Sequence, residues 1–157
     1  MNPLTGIDVR CFLIGRKANE MYFLKNDDGW NRDCIFNAIR SIVECVCLPG
    51  LVEVKTSDLI DLFRTGRRVS FSYGRGVGDK AIFNATNTAI SKVSSRLPRA
   101  NYIIYNVTGN EKNMIFFEIQ ESVNELLSWC NGSPNILFGI RLNNRLEDAV
   151  KVDIWMA

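Results

Sequence analysis

The chain has 157 residues, of which 46% are hydrophobic and 23% charged, the balance of one ordinary globular domain and not of a disordered tail or a low-complexity polymer. Its 19 basic and 17 acidic residues leave a net charge of +2 and are spread along the sequence, without the basic face on which a nucleic-acid binder concentrates its phosphate contacts. There is no histidine, which removes the usual general base near neutral pH and a common zinc ligand, and so argues against triad hydrolases and most zinc enzymes.

In chain order, Ile7 to Ile14 alternates Ile7, Val9, Cys11 and Leu13 against Asp8, Arg10, Phe12 and Ile14, and a second apolar run, Met21 to Leu24, follows the turn-forming stretch Gly15 to Asn19. This spacing predicts a β-hairpin. Asn26-Asp27-Asp28-Gly29 then breaks the chain, and Asn31 or Asp33 is available to cap a helix from Asp33 to Leu48. Within it Ile35, Ile39, Ile42 and Val46 recur at helical spacing, while Cys34, Ala38, Val43 and Cys45 take up much of the remaining circumference. Such a helix asks for burial on more than one side. Pro49-Gly50 ends it.

Thr56 or Ser57 is placed to cap a short helix from Asp58 to about Arg64, closed by Gly66 and followed by a strand from Val69 to Tyr73. The run Gly74-Arg75-Gly76-Val77-Gly78 reads as a turn into a helix from about Asp79 to Ser95, with Pro98 at its exit. Tyr102 to Val107 is an apolar, β-rich run closed by Thr108-Gly109-Asn110, as a buried strand would be. A helix from about Glu118 to Trp129 stops at Asn131-Gly132, and Ile136 to Leu142 and Val150 to Trp155 read as two last strands. The alternation predicts an α/β (α+β) fold. The expected architecture is a single domain with a mixed, largely parallel four-stranded sheet flanked by helices, preceded by a core helix over 33–48.

Five cysteines, Cys11, Cys34, Cys45, Cys47 and Cys130, form an odd set with no CxxC pair, and Met1 to Gly6 has neither the basic nor the apolar region of a leader. A reducing cytoplasm is the expected setting. The longest apolar runs fall short of the roughly 20 residues that span a bilayer, so no direct membrane insertion is expected.

Several ordered motifs carry a family resemblance. Pro49-Gly50-Leu51 follows the core helix, Gly74-x-Gly76 and Gly78-Asp79 precede Ala81, and Asn106-Val107-Thr108-Gly109 ends a strand. Phe117-Glu118-Ile119 starts a helix, Asn135-Ile136-Leu137-Phe138-Gly139 starts a strand, and Leu146-Glu147-Asp148 precedes Val150-Lys151-Val152. In order and spacing, residues 33 to 157 resemble the C-terminal half of the bacterial tubulin homologue FtsZ with its preceding core helix. Residues 1–30 form an N-terminal extension and 31–157 the FtsZ-like domain. Nothing resembles that family's Gly-Gly-Gly-Thr-Gly-Thr-Gly phosphate signature.

The resemblance implies a role for Pro49, Gly50, Leu51, Glu53, Lys55 and Asp58 as a synergy-like loop, which in that family inserts acids into the GTP site of the next subunit. The family pattern Asn-x-Asp-x-x-Asp reads Glu53, Lys55 and Asp58 here, so one acid is kept and the middle one is reversed in sign. Gly74, Gly76, Gly78, Gly109 and Gly139 are expected as structural turns. The implied function is non-catalytic and without cofactor: binding to FtsZ or another tubulin-like protein and capping or inhibiting its assembly, with Lys55 near the phosphates. Chance drift of the loop's charge remains an equal reading for Lys55. A self-assembling scaffold and a small-molecule-binding domain of the same fold are the alternatives.

A family core helix is sandwiched between two halves, so its apolar stripe needs a cover here; the N-terminal hairpin or a partner surface, through self-association or otherwise, could supply it. Weaker motifs are read structurally. The glycine run lacks a Walker Lys-Ser/Thr pair, Cys45-x-Cys47 sits on a helix as two buried small hydrophobes, Tyr102, Tyr105 and Trp129 belong to core or rim, and Glu118, Glu121 and Glu125 read as a solvated helix face.

Overall fold

The computed structural model describes residues 9–11, 22–24, 31–65 and 69–157. Two short strands, β1 (Val9–Cys11) and β2 (Tyr22–Leu24), pair antiparallel with Val9 opposite Leu24. The turn expected between them, the expected cover of the core helix and the expected stop at Gly66 lie outside the described residues.

Asn31 begins the first helix by accepting the Cys34 N–H at 2.9 Å, and α1 runs Arg32–Cys47, as its apolar spacing predicts. The second helix, α2 (Thr56–Thr65), starts differently from expectation. Lys55 holds the cap position: its carbonyl accepts from Asp58 N–H at 2.9 Å and Leu59 N–H at 3.4 Å, while Asp58 Oδ2 accepts the Lys55 N–H at 2.7 Å. Thr56 and Ser57 are therefore not the cap, because the acid at the third helical position reaches back and satisfies the free donor.

Next come β3 (Ser70–Val77), α3 (Ala81–Val93), a short 3₁₀ turn at Leu97–Arg99, β4 (Tyr102–Gly109), α4 (Phe116–Ser128), β5 (Asn135–Leu142) and β6 (Ala149–Met156). The four-stranded sheet has the order β3-β6-β4-β5. It is mixed, as expected, with three of its four strands codirectional: β3, β4 and β5 run one way, β4 and β5 as a parallel pair, while β6 lies antiparallel between β3 and β4. The short connection at 143–148 accounts for the one reversed strand, since it passes β4 and turns the chain back into β6 but is too short for the crossover that a further parallel strand needs.

Each face of the sheet has its own core. Val150, Val152, Ile154 and Met156 of β6 and Ile103, Tyr105 and Val107 of β4 pack under α3 and α4. On the opposite face Trp155, Ile104, Tyr102 and Phe71 meet Ala38, Ile42 and Cys45 of α1 and Leu59, Leu62 and Phe63 of α2. The alternation of β6 thus divides its residues between two helical layers.

Gly74 and Gly76 are not turn residues. Both lie inside β3, where a Cβ on Gly74 would fall 1.9 Å from the Ala85 carbonyl oxygen and one on Gly76 would fall 1.9 Å from that of Ala81. α3 lies so close on the strand that only glycine fits. Gly139 is likewise within β5, against Asn106 Oδ1, and Gly109 ends β4 beside Asn113. Gly78 is the turn residue of the expected set, with φ of +72°.

Lys80 caps α3 in a left-handed conformation with no side-chain hydrogen bond. The cap comes from α4 instead: Glu118 Oε1 accepts Ile82 N–H at 2.9 Å and Phe83 N–H at 3.1 Å. Glu118 is buried and does not belong to a solvated face. Its carboxylate occupies the donors a phosphate would need at this helix start, so the glycine run has no open anion cradle. Glu118→Ala is expected to lower unfolding free energy by about 2–3 kcal/mol, because it strands a buried N–H. Glu118→Gln, which keeps an acceptor without its charge, should cost about 1 kcal/mol in the same urea titration.

Candidate functional site

The loop after α1 is fixed to the sheet by its own backbone. Leu51 N–H and Val52 N–H both donate to the Ile140 carbonyl, at 2.8 and 3.2 Å, and Ile140 N–H donates to Val52 O at 2.9 Å. Gly50 permits that approach, since a Cβ there would lie 2.8 Å from Ile140 O. Val54 turns inward, and Pro49, Leu51, Glu53 and Lys55 remain at the surface. Asp58 is half-buried, with one carboxylate oxygen held by the start of α2. Glu53 and Lys55 therefore share an outward ridge, while the matched acid is committed to its own helix.

Register shows which loops share the end of the sheet from which this ridge leads away. Gly109 of β4 is level with Leu142 of β5, Val77 of β3 is level with Ala149 of β6, and Thr108 is level with Lys151. The ends of β3, β4 and β5 and the loops after them consequently gather at one end of the sheet, where Arg141 Nη2 also donates to Leu48 O at 3.5 Å. That end displays Leu48, Leu51, Val77, Ile115, Phe116 and Phe117, the last two at 69% and 67% exposure. Large aromatic side chains this exposed mark a contact surface more often than a free one. Sequence reasoning missed Phe116; the signal was three consecutive large apolar residues at a helix start, which cannot all face one core.

The outward face of α1 carries an apolar stripe of its own. Phe36, Ile39, Val43 and Val46 are spaced three or four apart and exposed, with Phe36 at 64%. Cys45 is buried beneath, its thiol pushed up by burial and its sulfur accepting from Asn106 Nδ2 at 3.2 Å. Cys47 is exposed, so the pair is not two buried hydrophobes.

Between α1 and the sheet lies a charged cluster that sequence reasoning did not identify. Lys151 Nζ stands 3.3 Å from Asp153 Oδ2 and 3.9 Å from Glu44 Oε2, and Arg40 Nε donates to Glu44 Oε1 at 2.6 Å. Trp155 Nε1 donates to Ser41 Oγ at 3.0 Å at its edge. Burial pushes the Asp153 carboxyl up to about 6, opposed chiefly by the Lys151 charge. The sequence signal was a lysine and an aspartate at alternate positions of an otherwise apolar strand, on the face that α1 covers. Among the described residues no group of three or more His, Cys, Asp or Glu is arranged to hold a metal ion.

No protein-family model matches the chain. It is 26% identical over 142 residues to the cell division protein FtsZ of Caulobacter vibrioides, covering 88% of this chain and 28% of that protein. With FtsZ of Magnetospirillum gryphiswaldense it shares 23% over 125 residues, 78% of this chain and 22% of the relative. A solved FtsZ dimer from M. jannaschii superposes with a TM-score of 0.68 at 22% identity, covering 79% of this chain and 36% of that one. The chain spans about a quarter of the length of the curated relatives it matches. It is similar to the C-terminal part of FtsZ, and its sheet and helices have the fold of that domain.

Proposed function

We propose that the chain is a non-catalytic, tubulin-like binding module of the cytoplasm that docks on a subunit of FtsZ or a related filament and caps it, so that assembly in cell division is limited. The observation that carries this reading is the exposed apolar set Leu48, Leu51, Ile115, Phe116 and Phe117 toward one end of the sheet, with Glu53 and Lys55 exposed on the loop that runs from Leu51 along β5. A central apolar patch with a charged edge is how a specific protein interface is built. Lys55 has the sign to meet the phosphates of a nucleotide on the partner, where the family's acid would be repelled. Similarity to cell division proteins, and to a chain solved as an FtsZ dimer, supports a filament subunit as the partner.

The domain itself brings no phosphate signature, and no described helix is long and apolar enough to cross a membrane. Purified FtsZ is expected to bind the chain saturably, and Leu51→Glu or Phe116→Glu to weaken binding at least about tenfold. Equal affinity of both variants would exclude this end as the docking surface. The exposed stripe Phe36, Ile39, Val43 and Val46 favours a second reading, self-association through α1. Sedimentation velocity separates the two: a concentration-dependent dimer that Val43→Asp dissociates supports the second, and a monomer at all concentrations removes it.

A further inference from the structure

A small recess opens between the N-terminal half of α1 and the β3–β6 pair, lined by Asn37, Arg40, Tyr73, Arg75 and Lys151. We propose that it binds a small free oxyanion of the phosphate class, held by Arg40, Arg75 and Lys151.

Arg75 lies directly opposite Lys151 in the antiparallel β3–β6 pair, and like charges in that relation repel across a gap of about 5 Å. Two observations show that this pair keeps donors for a ligand. Lys151 has a side-chain exposure of 9%, and its ammonium is ion-paired with Asp153 at 3.3 Å and Glu44 at 3.9 Å without a well-directed hydrogen bond to either. Arg75 is exposed and has no ion pair among the described residues. A buried ammonium carries three donors, and leaving them unused is costly.

Arg40 completes the set. Its Nε–H goes to Glu44, which leaves the two amino groups of the guanidinium for a ligand. Three cations, Arg40, Arg75 and Lys151, then face two carboxylates, Glu44 and Asp153. The excess of positive charge and the planar donors of two arginines suit an oxyanion. At about 240 Å³ the recess is below the ~300–1,000 Å³ of sites for larger organic ligands. Phosphate or pyrophosphate fits this size better than a nucleotide.

The test is a two-dimensional NMR titration of the full chain with inorganic phosphate and with pyrophosphate, against chloride at matched ionic strength. Saturable shifts centred on Asn37, Arg40 and Arg75 are expected, with Arg75→Gln weakening binding about tenfold and Arg75→Glu abolishing it. Because Arg75→Glu places an opposite charge across from Lys151, it should also raise the melting temperature in the absence of phosphate, which verifies folding independently. Shifts that follow ionic strength alone, or binding by Arg75→Glu equal to that of the original chain, would overturn the proposal.

Discussion

Gly74→Ala is expected to destabilise the protein by about 3 kcal/mol or more, enough to remove much of the 5–15 kcal/mol that holds a typical domain folded. The added methyl would sit 1.9 Å from the Ala85 carbonyl oxygen and 2.9 Å from the Ala89 nitrogen. These are backbone atoms of α3, so no side-chain rotation relieves the overlap. Either the helix lifts from β3, exposing the core of Ala81, Ile82, Ala85 and Ala89, or the strand leaves β6. Gly76→Ala should behave alike, for a Cβ there meets the Ala81 carbonyl at 1.9 Å. Gly78→Ala tests a different cost, that of φ at +72° in open space, and should lose only about 1 kcal/mol. Gly132→Ala, with open space around it, should change stability by less than about 0.5 kcal/mol. Urea denaturation of the four variants reads this order directly.

Lys151→Met should cost about 3 kcal/mol at neutral pH, because it leaves Glu44 and Asp153 as buried carboxylates without their shared cation. The cost is expected to shrink as pH falls. Asp153 ionises at about 6 in the folded chain, above its ordinary 3.8. Between those values the folded protein holds a proton that the unfolded chain has released, so stability from this group is full below the ordinary value and is lost as pH rises through about 6. A shift of this size corresponds to about 3 kcal/mol. Asp153→Asn should flatten that fall in a series of denaturation curves, whereas Lys151→Met should move it to higher pH by removing the charge that opposes the shift. A pH dependence identical in all three proteins would contradict this assignment of Asp153.

The order of elements was legible because local signals agree with the fold. Asn31 caps α1, Pro49-Gly50 ends it, and the apolar run at Tyr102 becomes a strand buried along its whole length. What escaped the sequence depends on distant neighbours. The strand at Ser70 continues through Gly74 and Gly76 because α3 lies against it, and glycine here marks close approach instead of a turn. Glu118 caps a helix 36 residues earlier in the chain, which no periodicity can announce. Lys151 and Asp153 lie on β6 and Glu44 on α1, so their cluster exists only after α1 docks.

The exposure of the candidate surface was legible in its loop and not in its extent. Leu51, Glu53 and Lys55 were predicted as the contact and are exposed, while Asp58 is turned into the start of α2. Phe116 and Phe117 join that surface because β4 and β5 are parallel and open their loops at the same end, a property of topology.

Light scattering of FtsZ assembling with GTP in the presence of increasing amounts of this chain tests the central proposal most directly. The account predicts a dose-dependent fall in polymer that Leu51→Glu and Phe116→Glu fail to produce. Unchanged scattering and unchanged GTP hydrolysis at a large excess of the chain would contradict it.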